Sequence, residues 1–307
     1  MKTTPEQYQN IRRWMHRNAR PIDLARWQFH FEDGTKENVL EVLTAYQNTD
    51  GGFAYALEED SWNPNSSPIQ TWCAVELLRE VNLDNRSTPL IQGILRYLDS
   101  ECDFIDGKWM SEIQSNNDYP HAFWWDWSPE TVYDYNPTAN LAGFVIKYAE
   151  NESMLYKKAT EIAKQAAESF MSREEINDGH LLLSFARLYQ YCMESNIGNL
   201  FDLKTSAEKL SMHIGNHLKN LQVDWCCDGV VYQFLKIYKN DLAADLCDDL
   251  IEFIAGQLLK NLQSDGSWNI PWNWNSYNEE WAISKNWWKG YAAVANTLFL
   301  KRHHYLP

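Results

Sequence analysis

Positive charge is scarce in this sequence of 307 residues, where 27 Lys and Arg are outnumbered by 42 Asp and Glu, giving a formal net charge of −15. A chain this acidic lacks the basic surface that binds nucleic acid or an anionic membrane, so we expect neither partner. No run approaches the roughly 18 consecutive apolar residues that a membrane-spanning helix needs. The first residues contain no apolar signal-peptide core, and the sequence predicts a cytoplasmic protein.

Regularly alternating strands are also missing, whereas apolar residues recur at the helical spacing through most of the chain. In the segment 35–47, Val39, Leu43 and Tyr46 fall on one helix face behind Thr35 as a cap. We expect an all-α chain of eleven or twelve helices, over about 5–17, 35–47, 69–81, 88–100, 138–150, 153–172, 180–194, 204–221, 229–239, 242–262 and 286–301.

Glycine is also sparse, and six of the thirteen glycines follow an aspartate. Such a pair ends a helix, because Gly adopts positive φ and Asp hydrogen-bonds its own turn. Three of the pairs precede an aromatic residue: Asp50-Gly51 before Phe53, Asp106-Gly107 before Trp109 and Asp265-Gly266 before Trp268. A helix, an Asp-Gly-aromatic turn and another helix repeated in this way are typical of a helical repeat array, so we expect one domain spanning 1–307.

The stretches 47–53 and 263–268 each have Gln ahead of the Asp-Gly-x-aromatic turn, and they resemble the repeats of squalene and oxidosqualene cyclases and of protein prenyltransferase β-subunits. The segments 51–60, 63–69 and 120–125 further resemble a bacterial branch that carries these repeats. The resemblance covers most of the chain and is weakest over 150–225. It implies an α/α toroid, a barrel of about six helical hairpins in two concentric rings, and it leaves the reaction open because one fold hosts many chemistries.

The catalytic motifs of that superfamily are incomplete here. No Asp-x-Asp-Asp acid motif occurs, and Asp224-Trp225-Cys226 has the spacing of two zinc ligands without a third. The Asp-Asp-x-x-Glu pattern at 248–252 lies on the polar face of an amphipathic helix. His213 and His217 share a helix face, but Ile214 stands where a zinc protease carries Glu. We therefore predict no metal site and no cofactor.

Acidic and imidazole side chains are the candidate catalytic groups. Residues 58–60 (Glu-Glu-Asp) are crowded behind the first turn, where mutual repulsion raises a carboxyl pKa, although such a run is also typical of a solvated loop. His121 is followed by Asp126 and Glu130, a pairing that suits general acid or base catalysis or a hydrogen-bonded loop. Glu280 adds a carboxylate from the tryptophan-rich segment 268–288. The predicted catalytic residues are Glu58, Asp60, His121, Asp126 and Glu280.

Tryptophan is abundant, with 15 residues, and its distribution is uneven. Ten lie in or beside two connecting segments, 109–127 and 268–288, that each follow an Asp-Gly turn. In a toroid such connections emerge at one end of the barrel, so we expect both clusters to rim one cavity mouth that binds a small molecule. Trp109 and Trp268 are predicted to hold neighbouring helices together. The predicted ligand-binding residues are Trp124, Trp125, Trp272, Trp274 and Trp281.

Three functions remain open from the sequence. The resemblance favours a cyclase- or prenyltransferase-like enzyme with an aromatic cavity for an apolar, isoprenoid-like substrate, since tryptophan faces stabilise cations. The acidic charge, the tryptophans and the clustered carboxylates also suit a carbohydrate-active hydrolase or lyase with two carboxylates about 5–9.5 Å apart. A toroid that binds a ligand without catalysis is the third, and the sequence leaves the oligomeric state undecided.

Overall fold

The computed structural model describes residues 2–197, 202–223 and 248–307, and these are mostly helical. The prediction of an all-α chain is confirmed. None of the helices in these ranges combines the length and the apolar character needed to cross a membrane. The elements are α1 (Pro5–Asn18), α2 (Pro21–Phe31), α3 (Lys36–Thr44), α4 (Pro68–Glu80), α5 (Pro89–Asp99), β1 (Phe104–Ile105), β2 (Lys108–Trp109), α6 (Thr138–Tyr148), α7 (Met154–Ser172), α8 (Gly179–Glu194), α9 (Leu203–Val223), α10 (Asp248–Asn261) and α11 (Asn278–Arg302).

Side-chain caps explain where several helices begin. Thr4, Ser67, Ser153 and Asp178 precede α1, α4, α7 and α8, and each accepts a hydrogen bond from a backbone N–H in the first turn. The cap satisfies a backbone donor that has no partner within the helix. These polar residues directly before an apolar period therefore fix the start of the helix.

One helix, α2, is missing from the predictions because its buried face is not uniformly apolar. Asp23 and Arg26 are buried on it beside Trp27. Asp23 accepts from Arg26 at 3.1 Å and from Arg20 at 2.6 Å, so the charges are paired inside the protein. Buried charged residues interrupt the apolar periodicity by which an amphipathic helix is recognised.

The chain divides into two compact units, Met1–Leu43 with Leu218–Pro307, and Thr44–His217. In the first unit α11 packs against α1, α2 and α10. In the second unit α6 packs chiefly against α7 and α8 and also contacts α4 and α5. The single domain and the toroid arrangement stay predictions.

Two of the three Asp-Gly-aromatic turns have the same geometry. Gly51 and Gly266 adopt φ of 99° and 95°, which the absence of a Cβ allows. Each glycine lies against helix backbone: a Cβ on Gly51 would lie 2.0 Å from the carbonyl oxygen of Gly93 in α5, and a Cβ on Gly266 would lie 2.3 Å from the carbonyl carbon of Asn10 in α1. The pair Asp106-Gly107 instead closes the β1–β2 hairpin with φ of 49° and 79°.

Candidate functional site

Residues 58–60 (Glu-Glu-Asp) are buried, with exposed fractions of 6%, 3% and 2%. Tyr55 and Ala56 adopt positive φ, 60° and 57°, and reverse the chain just ahead of them. Gln70 of α4 accepts hydrogen bonds from the backbone N–H groups of residues 57 and 58, at 2.8 and 3.4 Å. The alternative of a solvated acidic loop is therefore wrong, because the turn folds this segment onto α4.

Glu58 is held through one of its two carboxyl oxygens. Its Oε2 accepts from Nε1 of Trp125 and from the backbone N–H of Asp60, both at 2.9 Å, and no described residue hydrogen-bonds to Oε1. Burial first, and then the negative charges of Asp60 and Glu59, raise the pKa of Glu58 well above its ordinary value, against the effect of the two hydrogen bonds. Glu58 therefore holds its proton more tightly than an exposed glutamate does, and Oε1 is the carboxyl oxygen that the described residues leave without a hydrogen bond.

His121 lies against the same loop, through a β-bridge with Ser61 that is flanked by backbone hydrogen bonds of 2.9 Å. Its Nδ1 lies 2.6 Å from the carbonyl oxygen of Tyr119 and its Nε2 lies 2.7 Å from Oδ1 of Asp126. The carbonyl oxygen of Tyr119 can only accept a hydrogen bond, so Nδ1 of His121 is the donor in that contact. The side chain of Asp126 is 67% exposed, so the pair joins a buried ring to a solvent-facing carboxylate.

Two buried asparagines, which no motif singles out as site residues, support Trp125. Asn116 donates from Nδ2 to the carbonyl oxygen of Trp125 at 3.0 Å. Its Oδ1 accepts from Nδ2 of Asn63 at 2.9 Å. Trp124 and Trp125 are both half-buried, in a short 3₁₀ turn. The structure thus brings together four predicted catalytic residues and two predicted ligand-binding residues in one unit: Glu58, Asp60, His121, Asp126, Trp124 and Trp125.

The interface of α4, α6 and α8 also buries polar groups. Arg187 of α8 donates to both carboxyl oxygens of Glu76 in α4, from Nε to Oε1 at 2.9 Å and from Nη2 to Oε2 at 2.8 Å. Asn140 of α6 donates to Oε1 of Glu76 at 2.8 Å. Since α4 also supplies Gln70 to the loop of Glu58, the helix behind the candidate site carries amide and charged groups in its buried face. The sequence offers no signal for this pairing across helices.

The second aromatic cluster lies in the other compact unit. Helix α11 begins at Asn278, ahead of the predicted start near 286, so Trp281 and the half-buried Glu280 lie in its first turn. Trp274 and Trp281 are buried, with ring centroids 5.6 Å apart, and Trp272 meets a neighbouring ring edge-on at 5.1 Å. The role of these residues in ligand binding stays a prediction.

Trp268, one of the two tryptophans predicted to hold helices together, is 2% exposed and donates from Nε1 to the carbonyl oxygen of Leu258 at 2.9 Å. Trp109, the other, is buried to the same extent and packs edge-on against Phe104, with ring centroids 5.4 Å apart. The hydrogen bond of Trp268 joins its turn to helix α10, whereas the contact of Trp109 lies within the β1–β2 hairpin. The role of the two side chains in holding helices together stays a prediction.

The metal-type motifs do not form a site in the described residues. The triplet 224–226 lies outside them. Asp249 and Glu252 are exposed on α10, opposite the buried Leu250 and Ile254, as expected for the polar face of an amphipathic helix. Within residues 2–197, 202–223 and 248–307, no three His, Cys, Asp or Glu side chains are grouped as ligands of a metal ion.

No family model matches the chain, and no curated protein or solved structure matches it either. The resemblance to the cyclase and prenyltransferase repeats therefore rests on the residues quoted for it.

Proposed function

We propose that the protein is an enzyme that cleaves glycosidic bonds, with Glu58 as its general acid and the loops of Glu58, His121 and Trp125 as its active site. The observation that carries this proposal is the buried carboxyl of Glu58, whose Oε2 is fixed by Trp125 and whose pKa is raised by its burial and by the neighbouring carboxylates. A carboxylic acid in this state protonates the leaving oxygen in glycoside hydrolysis.

The raised pKa of Glu58 favours this chemistry over protonation of an alkene. A carboxyl that keeps its proton at high pH is a weak acid. A glycosidic oxygen becomes basic as its bond to the anomeric carbon breaks, so a weak, well-placed acid suffices. An alkene carbon is far less basic and needs a strong acid, which a glutamate with a raised pKa is not.

In the proposed reaction the proton on Oε1 of Glu58 passes to the leaving oxygen as the anomeric C–O bond breaks, and water adds to the anomeric carbon. Asp126 takes the proton from this water, because its carboxylate is solvent-facing and oriented by Nε2 of His121. The negative charges of Glu59 and Asp60, which act on Glu58, also stabilise the positive charge that develops on the sugar ring.

The surroundings of Glu58 suit a polyhydroxylated substrate. Gln70, Asn63 and Asn116 are buried amides beside the loop, and α4 continues this polar character to Glu76. The half-buried ring of Trp124 offers a flat apolar face of the kind that lines ligand sites. An apolar isoprenoid bound here would have to remove water from the solvent-facing carboxylate of Asp126, which is unfavourable.

We also propose the α/α toroid for the chain. The helical content and the equivalent turns at Gly51 and Gly266 support it. The same turns favour a second candidate function, a cyclase- or prenyltransferase-like reaction on an isoprenoid-like substrate. A third, ligand binding without catalysis, predicts no turnover by the wild type.

The test compares the wild type with Glu58→Gln on oligosaccharides and on dinitrophenyl glycosides. Loss of the acid should lower kcat/KM on oligosaccharides by about 10²–10⁴-fold. The loss should be much smaller on dinitrophenyl glycosides, whose leaving group needs no proton. Glu130→Gln is the matched control, because Glu130 is exposed in the segment that follows Trp125.

Three results would contradict the proposal. Equal oligosaccharide activity of Glu58→Gln and wild type would remove Glu58 as the acid. Turnover of squalene or a prenyl diphosphate, with none of any glycoside, would favour the second candidate function. Turnover of no substrate from either class would favour a ligand-binding role.

A further inference from the structure

The loops of residues 48–50, 64–66 and 102–115 line an open cavity of about 390 Å³, and the Glu58 carboxyl is not part of its wall. This volume falls within the usual range of small-molecule sites, about 300–1,000 Å³. Its wall includes Asp50, Asn65, Asp103, Ile113 and Ser115. Its wall residues include two aspartates and no lysine or arginine, and Arg96 donates to the carbonyl oxygen of Thr49 from beside the wall at 3.3 Å.

Two carboxylates of this wall are held in place, each by one oxygen. Oδ1 of Asp50 accepts from the backbone N–H of Gly52 at 2.9 Å and from the hydroxyl of Ser66 at 2.8 Å. Oδ2 of Asp103 accepts from the hydroxyl of Tyr97 at 2.6 Å. The second oxygen of each carboxylate accepts no hydrogen bond from the described residues. Each carboxylate is therefore fixed in orientation, with one oxygen that the described residues do not engage.

The remaining groups of the wall are short and neutral. Ser115 accepts from Nδ2 of Asn63 at 2.9 Å, which leaves its hydroxyl hydrogen able to donate. Ile113 and Pro64 add apolar surface. Fixed acceptors, a hydroxyl donor and an apolar wall together match the hydroxyl groups and the C–H face of a sugar ring.

The cavity is joined to the Glu58 site by hydrogen bonds. Asn63 donates to Ser115 in the cavity wall and also to Asn116, whose Nδ2 holds the carbonyl oxygen of Trp125. Asn65, another wall residue, donates to Oδ1 of Asn63 from its backbone and side-chain nitrogens, both at 2.9 Å. One buried amide, Asn63, thus contacts both places.

We propose that this cavity is a carbohydrate-binding subsite, which holds a sugar unit of the substrate, or of a second oligosaccharide, through Asp50, Asp103 and Ser115. The choice of ligand class rests on the proposed function, whereas the site itself rests on the cavity and its fixed acceptors. Binding here does not require the Glu58 carboxyl.

Cys102 makes the site testable, because it is a free, exposed thiol in the wall of the cavity. A ligand in the cavity should shield it from iodoacetamide. At ten times its Kd, a sugar should slow alkylation of Cys102 about tenfold, since only unbound protein reacts. The probes are maltotriose, cellotriose, xylotriose and chitotriose, and peptide mass spectrometry follows Cys102 with Cys73 as the internal reference.

Thr49→Trp places a large side chain in the cavity from an exposed turn position. It should abolish the protection of Cys102 and weaken sugar binding, measured by calorimetry, at least about tenfold. Val132→Trp is the matched control, because Val132 is 93% exposed and lies outside the cavity wall. Asp103→Asn, which keeps an acceptor for Tyr97, should weaken binding roughly tenfold through loss of the charged acceptor.

Each outcome separates this site from the active site. Protection that persists in Glu58→Gln and is lost in Thr49→Trp supports the subsite, even if no glycoside is hydrolysed. Sugar binding that is unchanged in Thr49→Trp would overturn the subsite and leave the role of Glu58 standing. Protection of Cys102 by none of the four sugars would also overturn the subsite. Protection by a dication such as putrescine, with none by the sugars, would overturn it as well, because the two aspartates would then bind cations rather than sugars.

Discussion

Trp125 donates the hydrogen of its indole Nε1 to Oε2 of Glu58 at 2.9 Å, although 67 residues separate the two in the chain. The bond leaves the other carboxyl oxygen to carry the proton of this buried acid. The orientation of one carboxyl group thus depends on a residue in a distant loop, which Asn116 in turn holds at its carbonyl oxygen.

Trp125→Phe should raise the pKa of Glu58 further. The indole hydrogen bond favours the ionised carboxyl and so lowers the pKa, and phenylalanine keeps an aromatic ring without a donor. In the pH profile of kcat/KM, the basic limb that reports loss of the acidic proton should move to higher pH. Trp124→Phe is the control, and an identical shift in both variants would show that the indole bond does not control this pKa.

Glu58→Gln should remove a pH dependence of stability. The folded protein binds the Glu58 proton more tightly than the unfolded chain, whose ordinary pKa is 4.5. This stabilisation is complete below the unfolded pKa and is lost as the pH rises through the folded pKa. Glutamine does not ionise, so the free energy of unfolding of the variant relative to that of the wild type should increase as the pH rises. Urea unfolding from acidic to neutral pH measures the difference, and a constant difference would contradict the raised pKa.

Arg187→Met should destabilise the protein by about 3–5 kcal/mol, because it leaves the buried carboxylate of Glu76 without its ion pair. The double variant with Glu76→Met should recover most of that loss, since no charge then remains buried there. Urea unfolding of the two single variants and the double variant provides the coupling energy. A loss of less than about 1 kcal/mol in Arg187→Met would show that the carboxylate of Glu76 is stabilised well enough without Arg187.

Gly51→Ala should cost far more stability than Gly107→Ala. Both glycines have positive φ, which an alanine adopts at roughly 1–2 kcal/mol. At Gly107 the nearest atom to a new Cβ is 3.9 Å away, so strain is the whole cost. At Gly51 the new Cβ would lie 2.0 Å from the carbonyl oxygen of Gly93, and the helix backbone must move. Equal free energies of unfolding for the two variants would exclude the close approach.

Local signals are sufficient to predict most helices. Helices α4 and α7, expected over 69–81 and 153–172, occur at Pro68–Glu80 and Met154–Ser172, with Ser67 and Ser153 as their caps. Helix α2 escapes prediction because Asp23 and its arginines are buried on its inner face. Periodicity detects a helix only where burial and apolar character coincide.

The candidate site is predictable in its residue types but not in its pairings. The local sequence singles out Glu58 as an acid, His121 as an imidazole and Trp125 as an aromatic side chain, each without reference to the others. Their meeting depends on a backbone bridge between Ser61 and His121, which no side-chain pattern encodes. The same holds for the ion pair of Glu76 and Arg187, which lie 111 residues apart.

The turn at Gly51 has a consequence for natural variation. Gln47 donates from Nε2 to the carbonyl oxygens of Gly51 at 2.9 Å and Leu90 at 3.1 Å, and a Cβ on Gly93 would lie 2.4 Å from the same nitrogen. The three positions 47, 51 and 93 thus occupy one small shared volume. Relatives with alanine at position 93 should carry a side chain shorter than glutamine at position 47, so covariation between these columns would record the contact in sequence alone.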